Sequence, residues 1–333
     1  MRALIHDHYT PAAGLRVAEL PEPVPGEGQV LIDVHAASPN PVDWHFTRGE
    51  PWLLRLQQGL RFPQPRLIGE DFAGTVAAVG SGVTDHRVDD RVFGTIPAGD
   101  TTRGTIAQRA VVTPESLAHL PQQVSMTDAA TVGLAGLTAM QALRDEGGLV
   151  AGGRVLVWGA AGGVGHFAVQ IAHLLGASRV DAVCSSRSAA LVKGLGAQQV
   201  FAYTANETPD GQYDVIIDTV CTAGVGTLGR ILAPGGTIVT VGANSGGRVL
   251  GMLAPIFGRS LVSRLHRMRD RTLLTRVNAA DLELLGGWLA TSELRVHVQE
   301  SFDLDRAADA FAVLEAGKVQ GKLAIKVTPD PRL

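Results

Sequence analysis

The chain has 333 residues, 45% of them hydrophobic and 5% aromatic, with 40 glycines and a formal net charge of −3. That length allows two domains of ordinary size with ample core, and the charge argues against a protein that works by gripping nucleic acid. Only Cys184 and Cys221 occur, outside any C-x-x-C pair, which argues against a disulfide framework and a thiolate zinc finger. The N-terminal MRALIHDHYT lacks the apolar core of a signal peptide, and no run approaches the roughly 20 apolar residues of a membrane span. A cytoplasmic protein with no membrane partner is expected.

Residues 1–122 read as β-rich and irregular. In PEPVPGEGQVLIDVHAA a proline-glycine segment precedes Val30, Ile32 and Val34, which alternate as in a half-buried strand. Further short strands are predicted at Gly74–Val79, Arg91–Gly94 and Thr105–Val112. Between them, Gly49–Leu67 places Trp52, Leu53, Leu56 and Leu60 on one face of a short helix, either a packed excursion or an apolar lid. From Ser125 the texture changes. SMTDAATVGLAGLTAMQAL predicts a capped apolar helix.

RVLVWGAAGGVGHFAVQIAHLLGA, residues 154–177, then reads as strand, tight turn and helix. Its turn is an A-x-G-x-x-G variant of the dinucleotide fingerprint, with Ala160 in the first glycine position. Ala161, Gly162, Gly163, Val164 and Gly165 would let a pyrophosphate approach the backbone at a helix N-terminus. An ordinary glycine-rich turn has the same local pattern. Apolar strands at Arg179–Cys184, Asp214–Asp218 and Gly236–Val241, separated by helices over Ala189–Gly194 and Thr222–Leu232, make a doubly wound parallel sheet the economical topology. Beyond it, Arg264, Arg267, Arg269 and Arg271 read as a solvated face or subunit edge. VNAADLELLGGWLAT reads as a capped amphipathic helix, and the end of the chain as helix, turn and final strand.

Taken together, AASPNPVDW, GEDFAGTVAAVGSGV, DRVFG, LAGLTAMQAL, WGAAGGVGHFAVQIA and GKLAIKV resemble the motifs of the medium-chain dehydrogenase/reductase superfamily, specifically its zinc-free quinone oxidoreductase branch. The resemblance implies an α/β fold in which a Rossmann NADPH-binding domain, 123–277, is inserted in a discontinuous GroES-like β-barrel catalytic domain, 1–122 and 278–333. It also implies a homodimer and an active site in the cleft between the domains. Asn40 and Glu70 stand where zinc-dependent members have cysteine and histidine, so no zinc and no other metal is expected.

At the end of the second nucleotide-domain strand, Ser185, Ser186 and Arg187 replace the carboxylate of an NAD site, and Tyr203 matches a tyrosine of zinc-free relatives. NADPH is therefore the expected cofactor. A helix-start arginine and a half-buried core tyrosine are the structural alternatives. The resemblance assigns Asn40, Asp43 and Thr138 to the catalytic site and Gly242, Ala243 and Lys322 to the cofactor's flanks. Against these stand a turn asparagine, a loop-holding aspartate, a core threonine, an ordinary turn and a solvated lysine. No tyrosine follows Asn40 as proton donor. His45 has a suitable pKa for acid work, but an exposed loop histidine is the alternative.

The expected activity is hydride transfer from NADPH to a quinone or to the β-carbon of an α,β-unsaturated carbonyl. One alternative is an enoyl-thioester reductase, for which Arg48, Arg55 and Arg61 would supply a basic entrance. A non-catalytic nucleotide-binding protein is an alternative of another class.

Overall fold

The computed structural model describes residues 1–50, 52, 55, 66–97, 104–242, 259, 262–263 and 268–329. They form two compact units, 1–137 with 276–333, and 138–275. In chain order the first unit begins with β1 (Arg2–His6), β2 (Arg16–Glu19), β3 (Val30–Ser38), helix α1 (Pro41–Arg48), β4 (Arg66–Leu67), β5 (Asp71–Val79), β6 (Arg91–Thr95), β7 (Arg109–Val112) and β8 (Leu117–His119). Helix α2 (Met126–Gln141) crosses from the first unit into the second.

Two sheets build the first unit: a three-stranded one ordered β2-β1-β4, and a seven-stranded one that includes two strands from the end of the chain, β15 (Val298–Asp303) and β16 (Lys322–Lys326). Its path is β15-β16-β3-β5-β6-β8, with β7 also on β3. The alternation read in β3 places Val30, Ile32 and Val34 in the core. An irregularity in the β3–β5 pairing after Val34 moves Ala37, rather than Ala36, into the same core. The predicted strand at Thr105–Val112 begins only at Arg109, because the amides of Thr105 and Ile106 are spent on the carbonyls of Gly69 and Ile68. Two late helices complete the unit. Helix α6 (Ala279–Ala290), capped by the Asn278 side chain on the Asp281 amide at 2.9 Å, packs on β8, and α7 (Ala307–Glu315) sets Ala307, Ala310 and Phe311 into the core at helical spacing.

The second unit holds β9 (Arg154–Trp158), α3 (Gly163–Leu174), β10 (Arg179–Cys184), α4 (Ala189–Gly194), β11 (Gln199–Ala202), β12 (Tyr213–Asp218), α5 (Val225–Ile231), β13 (Leu232–Thr240) and β14 (Arg269–Thr272). All six strands are parallel, in the order β11-β10-β9-β12-β13-β14. This is a doubly wound sheet whose order reverses between β9 and β12, and in such sheets ligands bind at the carboxyl ends beside that reversal. Helix α5 starts at Val225, three residues later than predicted, and Leu232 already belongs to β13. β14, RDRT, has exposed arginines at 269 and 271 and no hydrophobic period to mark it as a strand. Among the described residues, no helix is long and apolar enough to cross a membrane.

Candidate active site

β3 ends at Ser38, and Asn40 caps α1, whose first residue is Pro41. Proline fits there because a helix's first amide needs no partner within the helix and the ring presets φ. One turn on, the Asp43 carboxylate accepts the Asn40 amide at 2.7 Å. The Asn40 side chain points to other partners. Its Nδ2 donates to Asp71 Oδ2 at 2.8 Å, and its Oδ1 accepts from Lys322 Nζ at 2.5 Å. Lys322 also stands 3.3 Å from Asp71 Oδ2, while Asp71 Oδ1 takes the Leu134 amide at 2.7 Å.

Asn40, Asp43, Glu70, Asp71 and Lys322 are all buried. The cluster therefore sets three carboxyl groups against one ammonium, and both Glu70 oxygens are buried with no hydrogen-bond partner. Burial raises the Asp43 pKa to about 7, with the Asp71 charge adding to the rise and the Asn40 amide opposing it. Burial, then Asp43 and Asp71, hold Glu70 well above the usual carboxylate range. Protonation of these carboxyls relieves an excess of buried negative charge.

Asp43 titrates above its unfolded value, so its contribution is complete below about pH 4 and is lost as pH rises toward 7, at up to about 1.4 kcal/mol per unit. Asp43→Asn keeps an acceptor for the Asn40 amide but removes the titration. Urea midpoints at pH 5, 6.5 and 8 should fall less steeply for the variant than for the wild type; parallel slopes would show that Asp43 is ionised throughout.

The second unit carries the dinucleotide turn. Gly159 follows β9 with φ of 83°, and Gly162 caps α3 in extended backbone. The first intrahelical bond is made by His166 to Gly162 O, so the amides of Gly163, Val164 and Gly165 have no backbone acceptor among the described residues. They are free to face an anion at the positive end of a helix. Gly165 is required by packing. A Cβ there would collide with Gly159 O and lie 2.7 Å from Ala160 Cα. Thr219, just after β12, donates its hydroxyl to Trp158 O at 3.0 Å, and Gly242, after β13, lies against Thr219 O. Thr219 thus joins the turn at the sheet's reversal, where no motif pointed to it.

At the end of β10, Ser186 and Arg187 are exposed and Ser185 is half-buried. The hydroxyls of Ser186 and Thr204 lie 2.6 Å apart, and the Ser186 amide donates to Thr204 Oγ1 at 2.9 Å. Tyr203, next to Thr204, is 57% exposed, so it is not a core aromatic. Thr204 escaped the sequence reading because only the fold brings it to Ser186.

Thr138 Oγ1 pairs with Thr275 Oγ1 at 2.8 Å in the second unit. Ala243, Leu53, Leu56, Leu60, Arg61, Arg264 and Arg267 lie outside the described residues. Lys322 is buried among carboxylates rather than solvated. His45 is also buried: its ring stacks on Trp44, its Nδ1 bonds Glu50 O at 3.0 Å, and burial lowers its pKa. Arg48 and Arg55, expected at a basic entrance, both have partners within the first unit. The first pairs with Glu315 at 3.0 Å; the second donates to the carbonyls of Gly49 and Arg48 and covers the Tyr9 ring. The Tyr213 hydroxyl donates a hydrogen bond to Asp181 Oδ2 at 2.8 Å in the core.

Two family models match the chain: the alcohol dehydrogenase GroES-like domain over residues 26–122 and the zinc-binding dehydrogenase over residues 195–325. A chloroplast envelope quinone oxidoreductase homolog of Arabidopsis thaliana is 32% identical over 98% of both chains. An NADPH-dependent alkenal/one oxidoreductase of the same plant is 30% identical over 99% of this chain and 80% of its own. Among solved structures, the quinone oxidoreductase from Coxiella burnetii is similar with a TM-score of 0.85 and 32% identity, over 98% of this chain and 99% of that one.

The residues at the zinc position do not fit that metal. Asn40 offers an amide where a thiolate would be, and both its oxygen and Asp71 already bind the Lys322 ammonium. With an inserted parallel dinucleotide sheet, a GroES-like β domain, this lysine-filled cluster and those relatives, the chain belongs to the medium-chain dehydrogenase/reductase superfamily, in its zinc-free quinone oxidoreductase branch.

Proposed function

We propose that this chain is a zinc-independent, NADPH-dependent reductase that delivers hydride to a quinone or to the β-carbon of an α,β-unsaturated carbonyl. The observation that carries the cofactor choice is the end of β10, where Ser186 and Thr204 present paired hydroxyls beside exposed Arg187 and Tyr203. Hydroxyls and a guanidinium suit a 2′-phosphate, whereas an NAD site places a carboxylate there for the ribose. The relatives named for quinone and alkenal/one reduction support the acceptor class.

In this reading the amides of Gly163, Val164 and Gly165, with Ala161 and Gly162, hold the pyrophosphate. Ser185, Ser186, Arg187 and Tyr203 hold the 2′-phosphate. Bound dihydronicotinamide supplies the hydride. Asn40, Asp43 and Thr138 belong to the reacting end, where Asn40 acts as a positioning residue because both ends of its amide are already committed. The reading includes a cytoplasmic homodimer, which sedimentation velocity tests.

NADPH consumption measured with quinones, enals, enones and enoyl thioesters tests the activity. Turnover of quinones or enones supports it; turnover of thioesters alone, or tight NADPH binding with no acceptor reduced, overturns it. Arg187→Ala is expected to weaken NADPH binding by about 1.5–3 kcal/mol, roughly 10- to 150-fold, with NADH binding little changed. Equal wild-type affinity for the two cofactors would remove the basis of the assignment.

A further inference from the structure

A second polar cluster lies in the first unit, apart from the Asn40–Lys322 group. The loop from β5 to β6 carries His86 and Asp90, and β8 ends at His119, which pairs with Val92 of β6. One ligating atom from each of the three side chains lies within 4.8 Å of the other two. We propose that His86, Asp90 and His119 form a binding site for a divalent transition ion of the zinc class.

The first support is an orphaned atom. His86 is only 8% exposed, and its Nδ1 is wholly buried with no hydrogen-bond partner. Buried polar atoms are nearly always partnered, so one that is not calls for an explanation, and a bound ion is one. The second support is how the other two ligands are held. His119 Nε2 stands 3.3 Å from Asp85 O, a contact that places the proton on Nε2 and the lone pair on Nδ1. Metal-bound histidines commonly donate their second ring nitrogen to a backbone carbonyl in this way. Asp90 Oδ2 takes the Arg87 amide at 2.7 Å, and no hydrogen bond among the described residues engages Oδ1.

The frame is firm on both sides. Asp89 turns the loop at φ of 71°, its amide bonds Val76 O, and the Val76 amide bonds Asp90 O, each at 2.9 Å. The carboxylates of Asp85, on the same loop, and Glu283, on α6, add negative potential at His86. Bonds of about 2.0–2.2 Å to a tetrahedral ion set its ligands roughly 3.4 Å apart, a closure that half-buried Asp90 and exposed His119 can supply by rotation. Two imidazoles and one carboxylate favour zinc-class ions over magnesium and calcium, with the fourth position left to water. The bound ion would staple the β5–β6 loop to β8.

The test uses the full chain stripped with chelator, titrated calorimetrically with zinc or magnesium at pH 7.5, with cobalt absorption as a second readout. One zinc per chain, no magnesium binding, and a tetrahedral cobalt band are expected. His119→Ala alters an exposed side chain and should weaken zinc binding at least about tenfold, while His8→Ala, an exposed histidine elsewhere, should leave it unchanged. Absence of saturable zinc binding to the wild type, equal binding of magnesium, or an affinity that His119→Ala does not alter would each overturn the site.

Discussion

Lys322→Met is expected to destabilise the protein by about 3–5 kcal/mol at pH 8, the usual cost of breaking a buried ion pair by removing one partner. Among the described residues, Lys322 is the one cation bonded within a buried group that contains Asp43, Glu70 and Asp71. Without it, among the described residues, Asp71 Oδ2 keeps the Asn40 amide group alone and Asn40 Oδ1 loses its donor. The loss should shrink toward pH 5, because proton uptake by Asp43 and Glu70, both raised by burial, replaces the missing positive charge. A packing defect would not depend on pH in that way. The double variant Lys322→Met with Asp71→Asn should recover part of the loss at pH 8, since it removes a charge that the lysine balanced. Urea unfolding at pH 5 and 8 measures all of this. A pH-independent loss with no recovery in the double variant would show that Lys322 acts through its aliphatic stem alone.

Gly165→Val is expected to remove NADPH binding and to cost about 3 kcal/mol or more of stability, beyond ordinary overpacking because backbone rather than side chains would have to give way. The obstructing atoms are Gly159 O, Ala160 Cα at 2.7 Å and Ala160 C at 2.9 Å. Helix α3 could accept the side chain only by moving off β9, which would carry its free amides away from the proposed pyrophosphate position. Gly162→Ala provides the contrast. Its Cβ would meet nothing nearer than Gly159 O at 3.5 Å, and its φ of −81° suits any residue. That variant should unfold within about 1 kcal/mol of the wild type, yet bind NADPH more weakly if phosphate approaches the backbone there. Cofactor fluorescence titration beside urea unfolding separates the two effects. Unimpaired NADPH binding by Gly165→Val would place the cofactor elsewhere.

The sheet at the centre of the second unit was legible because its information is local. A run of apolar residues, a glycine turn and a helical period identify β9 and α3 within 24 residues, and β10 and α4 repeat the form with boundaries that the structure matches. β14 was not legible, since RDRT carries two exposed arginines and owes its strand conformation to pairing with β13. The partner of Arg48 was not legible for a related reason. Charge is visible in a sequence, but the partners that consume it are not, and Glu315 lies 267 residues from Arg48.

The chemistry divides along the same line. The residues of a tight turn dictate their own backbone, so the amides open to a phosphate follow from sequence alone, as does the lack of a carboxylate at Ser185, Ser186 and Arg187. The Asn40 cluster is different. Lys322 comes to Asn40 across 282 positions and to Asp71 across 251, and burial common to all of them, rather than any motif, raises Asp43 to about 7. Charge balance in a buried site depends on which distant groups share one low-dielectric volume. Only tertiary structure decides that, just as it alone brought Thr204 to Ser186 and His119 to His86.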